Sequence, residues 1–412
     1  MYQLFIWIYT LCVGIASLFN DKAKRMRKGG HAAFRILREK ADPGARYLWF
    51  HAASLGEFEQ GRPIIEQLRQ QHPEYKILLT FFSPSGYEVR KDYPGADICC
   101  YLPLDTMRNA RRFLRLIRPE MAFFIKYEFW YNYLHELKKQ GIPVYSVSSI
   151  FRPGQAFFKW YGRPYRQVLY CFTRFFVQNE QSRELLRRIG ITDVLVTGDT
   201  RFDRVLHIKS QSKQLPLVES FIGTGTPHVF VAGSSWPPDE NIFLAYFARH
   251  PEWKLIVAPH VIDEHHLMQI EAACQGKALR YSQADEARCR DAAVLIIDCF
   301  GLLSSIYRYA DVTYVGGGFG VGIHNVLEAA VWNVPVIFGP HNERFREAQQ
   351  LLDVQGGFEI HDAHDFEALM TRFSTDEEAR KRTGDAAGHY VAENAHATDK
   401  ILAHIFESAD KP

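Results

Sequence analysis

Several things are scarce in this sequence of 412 residues, and each scarcity removes a class of protein. Its seven cysteines (Cys12, Cys99, Cys100, Cys171, Cys274, Cys289, Cys299) are odd in number, scattered and without a C-x-x-C pair. That argues against a disulfide framework and a cysteine-held zinc, and suits a reducing compartment. An excess of one charge is missing too: 49 Lys plus Arg face 47 Asp plus Glu, a net +2, so no global electrostatic case for nucleic acid arises. A nicotinamide-type fingerprint is absent, because the glycines near 316 would need a further glycine at Val321 or Ile323. No Walker Gly-Lys-Ser/Thr and no G-x-S-x-G elbow occur. His260, His265 and His266 of "APHVIDEHH" lack H-E-x-x-H spacing, so no zinc site is read there. There is no short repeat, low-complexity tract or coiled coil.

What is present begins with the N-terminus. Tyr2 to Phe19 carries no charge and is followed by Lys22, Lys24, Arg25, Arg27 and Lys28. A secretory signal would place its positive charge before the apolar run, so the segment reads as retained. At about 18 residues it is long enough to cross a membrane once or to lie in the interface, basic cluster on the cytoplasmic side. The alternative is a buried helix of a soluble protein.

Beyond it, short apolar runs alternate with helical patterns: "YLWFHAA", "KILLTFF", "MAFFIK", "IPVYSVS", "FFVQN" and "DVLVTG", then "HVFVAGS", "KLIVAPH", "AAVLIID", "DVTYVGGG" and "VPVIFGP". This pattern means βαβ units and parallel sheets, an α/β protein. The length exceeds one core, and a hydrophobic fraction of 47% lets each of two domains bury its own. The stretch from Leu206 to His228, polar and rich in Pro and Gly, reads as a linker. The expected organisation is a membrane-associated segment over 1–28, a doubly wound domain over 29–215 and a second over 216–412, whose last helix can pack back on the first. Such domains face a cleft, with strand-end loops pointing inward.

Four turns carry candidate chemistry. In "HAASLGE", Ser54 and Glu57 have capping-box spacing, yet Glu57 also stands at the carboxyl end of a strand, where ligands gather in α/β sheets. In "GGGFGVGIHNVLEAA" the glycines Gly318, Gly320 and Gly322 admit close backbone approach to a phosphate, and the following helix directs its N-terminal N–H groups there. His324, Asn325 and Glu328 are expected on one face of that helix, the carboxylate ready to accept from two ribose hydroxyls. "VIFGPHN", with Gly339 and His341, and "AGSSWPPDE", with Ser234 and Ser235 free to donate, repeat the arrangement. In the first half, Lys126 and Glu128 end one strand beside Trp130 and Asn132, and Arg201 ends another.

The ordered set "HAASLGE", "YEFWYN", "VQNEQSRELLRRIG", "VTGDTRFD", "AGSSWPPDE", "GGGFGVGIHNVLEAA" and "GPHNERFREA", spanning about residues 47–350, resembles the 3-deoxy-D-manno-octulosonic acid (Kdo) transferases, glycosyltransferase family 30. The resemblance implies a GT-B fold of two Rossmann-like domains. It implies a CMP-Kdo donor on the C-terminal domain and an acylated glucosamine disaccharide, the lipid A precursor, as acceptor at the inner membrane's cytoplasmic face. It implies inverting transfer without metal or cofactor. Carried over by position, Glu57 matches the general base, and Glu128 and Arg201 match groups that stabilise the transition state. Donor contacts would fall on Pro259, His260, Gly301, Leu302, Leu303, Asn325, Val326, Leu327 and Glu328, with the glycine and serine turns. Acceptor contacts would fall on Ser54, Gly56 and Lys126. The sequence departs from the family at Lys126, where an acid is usual, at Arg201, where Lys is usual, and at Pro259, where Arg is usual. Beside a helix N-terminus, Glu57 is expected to have a lowered pKa. A UDP-sugar transferase or 2-epimerase of the same fold, and a silent membrane-attached binding module, are the rival readings.

Overall fold

A computed structural model describes residues 2–225, 228–320 and 322–407. Two compact units emerge: Met1–Arg204 with His396–Pro412, and Val205–Ala395.

The first unit is built on seven parallel strands: β1 (Arg46–Ala52), β2 (Tyr75–Phe81), β3 (Ile98–Tyr101), β4 (Met121–Ile125), β5 (Val144–Ser149), β6 (Arg174–Val177) and β7 (Val194–Val196), in spatial order β3-β2-β1-β4-β5-β6-β7. Six of the seven residues of β1 are buried, because helices cover both faces of the sheet. Period-two alternation divides them: Tyr47 and Trp49 enter one core with Phe113 and Tyr133, while Leu48 and Phe50 enter the other with Phe58, Ile64 and Phe123. The strand order reverses between β1 and β4, which puts the turns after these strands at the switch point.

The second unit repeats the plan with β8 (His228–Ser235), β9 (Trp253–Pro259), β10 (Ala278–Arg280), β11 (Val294–Ile296), β12 (Val312–Val315), β13 (Val336–Phe338) and β14 (Gly357–Glu359), ordered β10-β11-β9-β8-β12-β13-β14, all parallel. Its switch point lies between β8 and β12.

One expectation, the linker between the two domains, needs correction. The stretch Leu206–His228 is not an irregular linker: Arg201–Ser210 and Pro216–Ile222 are helices, the second closed by Gly223 at φ 74°. The boundary therefore falls at Arg204/Val205, inside a continuous helix, rather than at 215. Arg204 pairs with Glu59 in the first unit, whereas Lys209 donates to the Val331 carbonyl in the second. The segment from His396 packs back on the first unit, as expected of the last helix: Ile401, Leu402 and Ile405 complete a core and Asp203 caps the helix Ala397–Leu402 through the Thr398 N–H.

At the N-terminus a 15-residue helix, Tyr2–Ala16, turns by 119° into the helix Asp21–Lys40, whose N-cap is Asn20. No single helix among the described residues is long and apolar enough to cross a membrane. Fifteen residues reach only about 22 Å, short of the roughly 30 Å hydrocarbon core. Nor is this the buried helix of the alternative reading: Ile6 is its one buried residue, and Leu4, Phe5, Trp7, Ile8 and Leu11 are exposed. Its start is tied down by the Tyr2 hydroxyl, which donates to Asp105, and by stacking of Tyr2 on Tyr131.

Candidate active site

The turn after β1 starts the helix Leu55–Gln71 with Ser54 as N-cap, its hydroxyl accepting from Glu57 N at 3.5 Å. The reciprocal half of the expected capping box differs: the Glu57 carboxylate accepts from Ala53 N, one residue earlier. Only Oε2 is used in this way, and among the described residues no protein donor reaches Oε1. Gly56 is exposed, and nothing would meet a Cβ there.

Contrary to the sequence expectation, the pKa of Glu57 is raised. Burial is the larger cause and the nearby Glu128 charge the second, while the Ala53 N–H, His51 and Lys126 pull against them. Desolvation outweighs the helix N-terminus because the group is half-buried and shares its site with another acid. Glu128 follows β4. It accepts the Trp130 indole N–H at 2.6 Å and meets His51 Nε2 at 3.2 Å, and the far side of the wholly buried His51 ring contacts Thr80 Oγ1 at 2.9 Å. Lys126 takes the left-handed φ of 65° uncommon for a side-chain-bearing residue, and its N–H donates to the Val147 carbonyl. Arg201 is braced by the buried Asp199, whose Oδ2 accepts from its Nε at 2.9 Å. Burial alone would raise the Asp199 pKa, but Arg201 and Gln60 hold it below its ordinary value. Tyr127 joins these groups, since the charges of Arg152, Asp199, Glu57 and Arg201 all act on its half-buried side chain. Turns after β1, β4 and β7 thus bring together Glu57, Lys126, Glu128 and Arg201.

In the second unit the glycine turn follows β12. Gly317 has φ 94°, and a Cβ on Gly318 would stand 2.6 Å from the Gly339 backbone, so the turns after β12 and β13 touch main chain to main chain. His341 seals the contact, its N–H donating to the Gly318 carbonyl and its Nδ1 meeting the Gly320 carbonyl, both at 2.9 Å. Val321 lies outside the described residues.

Four second-unit expectations change. The helix after the glycines is only Leu327–Ala330, so His324 and Asn325 precede it rather than share its face with Glu328. The two Glu328 oxygens already accept from Ser304 Oγ (2.7 Å) and Asn325 Nδ2 (3.1 Å). A ribose would have to displace one of these donors. The Ser235 hydroxyl is spent on Glu240, which also meets His266, whereas Ser234 sits at φ 52° with no side-chain bond among the described residues. Pro259 ends β9 buried, leaving the exposed His260 to face the turns. Val326 and Leu327 are buried. Gly301, at φ 89°, and Leu302 border Leu303, which opens the short helix carrying Ser304.

Sequence reasoning missed three contributors. His51, Asp239 and Trp236 were not singled out from the sequence. Asp239 is in fact wholly buried and accepts from Gly317 N (2.9 Å), Trp236 N (2.9 Å) and the Tyr314 hydroxyl (2.8 Å), holding the glycine turn in place. Trp236 and His324 meet edge to edge through Nε1 and Nε2 at 3.1 Å, and His260 stacks on both, with centroids 4.8 and 4.2 Å away. A tryptophan at the first turn and a histidine at the glycine turn were the available signals.

Two doubly wound parallel sheets, each with polar turns at its switch point, define the GT-B architecture of glycosyltransferases and sugar-nucleotide epimerases. The UDP-GlcNAc 2-epimerase of Neisseria meningitidis, solved bound to UDP-GlcNAc, shares this fold: TM-score 0.62, 13% identity, covering 88% of this chain and all (100%) of that one. Residues 25–204 match the family model described as 3-deoxy-D-manno-octulosonic-acid transferase (kdotransferase). The transferase of that name from Aquifex aeolicus is 28% identical over 320 residues, 76% of this chain and 82% of its own. Its counterpart from Haemophilus influenzae is 24% identical over 398 residues, 93% and 92% of the two chains. Over residues 25–204 the chain thus carries the Kdo transferase domain, and along most of its length it is similar to curated Kdo transferases, which are glycosyltransferases.

Proposed function

We propose that this protein moves Kdo from CMP-Kdo to the acylated glucosamine disaccharide precursor of lipid A (lipid IVA) by inverting displacement. The observation that carries the reading is Glu57, a half-buried carboxylate at a switch point, with one oxygen held by Ala53 N and the other without a protein donor among the described residues. Its raised pKa makes it a stronger base than a free glutamate. Glu57 takes the proton of the acceptor hydroxyl as that oxygen bonds to the anomeric carbon. The bond from that carbon to the phosphate oxygen breaks, CMP leaves with the electron pair, and the configuration inverts. Glu128 and Arg201 stabilise the transition state, Arg201 as a cation that Asp199 keeps in place. The glycine turns hold the nucleotide, and the acceptor is met near Ser54, Gly56 and Lys126. No step calls for a metal or cofactor.

The N-terminal helix supports attachment at the cytoplasmic face of the inner membrane. Its exposed apolar side suits the acyl boundary, and the exposed Lys22, Lys24, Arg25, Arg27 and Lys28 suit anionic headgroups. The experiment is transfer from CMP-Kdo, generated in situ, to lipid IVA, comparing wild type with Glu57→Gln and Glu57→Ala. Product from wild type, lost in both variants while they stay folded, supports the reading. No wild-type product, with UDP rather than CMP stabilising the protein against heat, would move it to a UDP-sugar enzyme.

A further inference from the structure

We infer that the Trp236 indole sets the tautomer of His324, so that His324 serves the nucleotide site as an uncharged Nδ1–H donor. This rests on the proposed reading of the glycine turn as a phosphate cradle. An indole N–H can only donate. At 3.1 Å from Trp236 Nε1, the Nε2 of His324 must therefore present its lone pair, and a neutral ring then carries its proton on Nδ1. Becoming an imidazolium would cost the ring this acceptor. The surroundings oppose charge as well: burial, and after it the neighbouring His260, push the His324 pKa down to about 4, and His260 itself is lowered by burial. Trp236 and Asp239 come from the turn after β8, and His260 from the turn after β9. Among the described residues His260 is the titratable group whose charge acts on the ring.

Placement gives the donor its use. His324 N donates to the Gly316 carbonyl, and a Cβ on Gly317 would come within 3.2 Å of the His324 ring, so the imidazole lies against the glycine turn. Among the described residues no protein acceptor meets Nδ1. A neutral donor there holds an anionic phosphate by one directed hydrogen bond and adds no full positive charge that would retain CMP after transfer. Trp236 is thus a positioning residue and His324 a ligand-binding one.

The test is long-range ¹H–¹⁵N correlation on full-length protein labelled with ¹⁵N-histidine, the His324 signals assigned by their loss in His324→Gln, with and without CMP. Expected are an Nδ1–H pattern for His324 in wild type, a shift toward Nε2–H in Trp236→Phe, and movement of the Nδ1 signal on adding CMP. By calorimetry, His324→Asn, whose amide nitrogen can replace Nδ1, should keep most CMP affinity, while His324→Gln, whose amide nitrogen replaces Nε2, should lose roughly ten-fold. An Nε2–H pattern in wild type, an unchanged tautomer in Trp236→Phe, or equal affinities for the Asn and Gln variants would overturn the inference. Failure of CMP to bind wild type at all would overturn the nucleotide reading instead, and the tautomer would still be decided by the spectra without CMP.

Discussion

Glu57 and Asp239 hold the same position in two sheets: each is the third residue of the helix after its sheet's first strand, the helices Leu55–Gln71 and Pro237–Arg249. Burial raises the pKa of both. They differ in their donors. Asp239 receives two backbone N–H groups and a tyrosine hydroxyl and is wholly buried, so its capacity goes into shaping the glycine turn. Glu57 has the Ala53 N–H on one oxygen and keeps the other for a ligand. One fold position thus yields a structural acid or a candidate base, depending on how many donors the neighbouring loops supply.

The largest way to test this contrast is Glu57→Gln, which keeps the acceptor for Ala53 and deletes the base. Turnover should fall on the order of 10³-fold, the usual scale of general-base loss, measured as kcat for Kdo transfer. The melting temperature should hold or rise at neutral pH. Ionising a carboxylate whose folded pKa is raised costs stability as pH climbs past the unfolded value, and the variant escapes that cost. The gain should vanish below pH ~4, where both proteins carry a neutral group. Gly318→Ala comes next: its Cβ would strike the Gly339 main chain, and overpacking of about 1–3 kcal/mol should appear in urea unfolding together with weaker CMP binding.

Asp239→Asn should cost about 2 kcal/mol, because the introduced amide would face donors rather than acceptors. Its activity loss should lie mainly in KM for the donor, with kcat less affected. Equal losses of kcat from Asp239→Asn and Glu57→Gln would erase the proposed division of labour. The acidic limb of kcat/KM should rise with pH through a midpoint above the ordinary Glu value of ~4.3 and disappear in Glu57→Gln. The smallest effect is that of Gly56→Ala. With open space at its Cβ and a helical backbone, it should stabilise by up to about 1 kcal/mol, and a raised KM for the acceptor alone would place that substrate against the helix start.

Much of this was legible in the sequence, for identifiable reasons. Strands buried on both faces read as unbroken apolar runs, so "YLWFHAA" and "HVFVAGS" announced themselves, whereas the approach of Gly318 to Gly339 came only with the structure. The sign of the Glu57 shift could not, because the local rule of the helix N-terminus was overruled by Glu128, which lies 71 positions away in the chain and comes close only through the pairing of β1 with β4. Ser235 misled for a similar reason, since Glu240, in the first turn of the following helix, accepts its hydroxyl hydrogen bond. The linker misled because Pro216 opens a helix instead of breaking one. Trp236 was not singled out because its partners, His260 and His324, come from two other loops.

The return of the chain at His396 has a consequence for biosynthesis. The core holding Leu48, Phe58 and Ile77 also takes Ile401, Leu402 and Ile405, which are made only after the whole of Val205–Ala395. At ribosomal rates of 5–20 residues per second, the roughly 190 intervening residues take on the order of 10–40 s. During that interval the sheet carrying Glu57 waits with one apolar face incompletely covered. The second unit, contiguous in sequence, has all its strands available before the first unit can close.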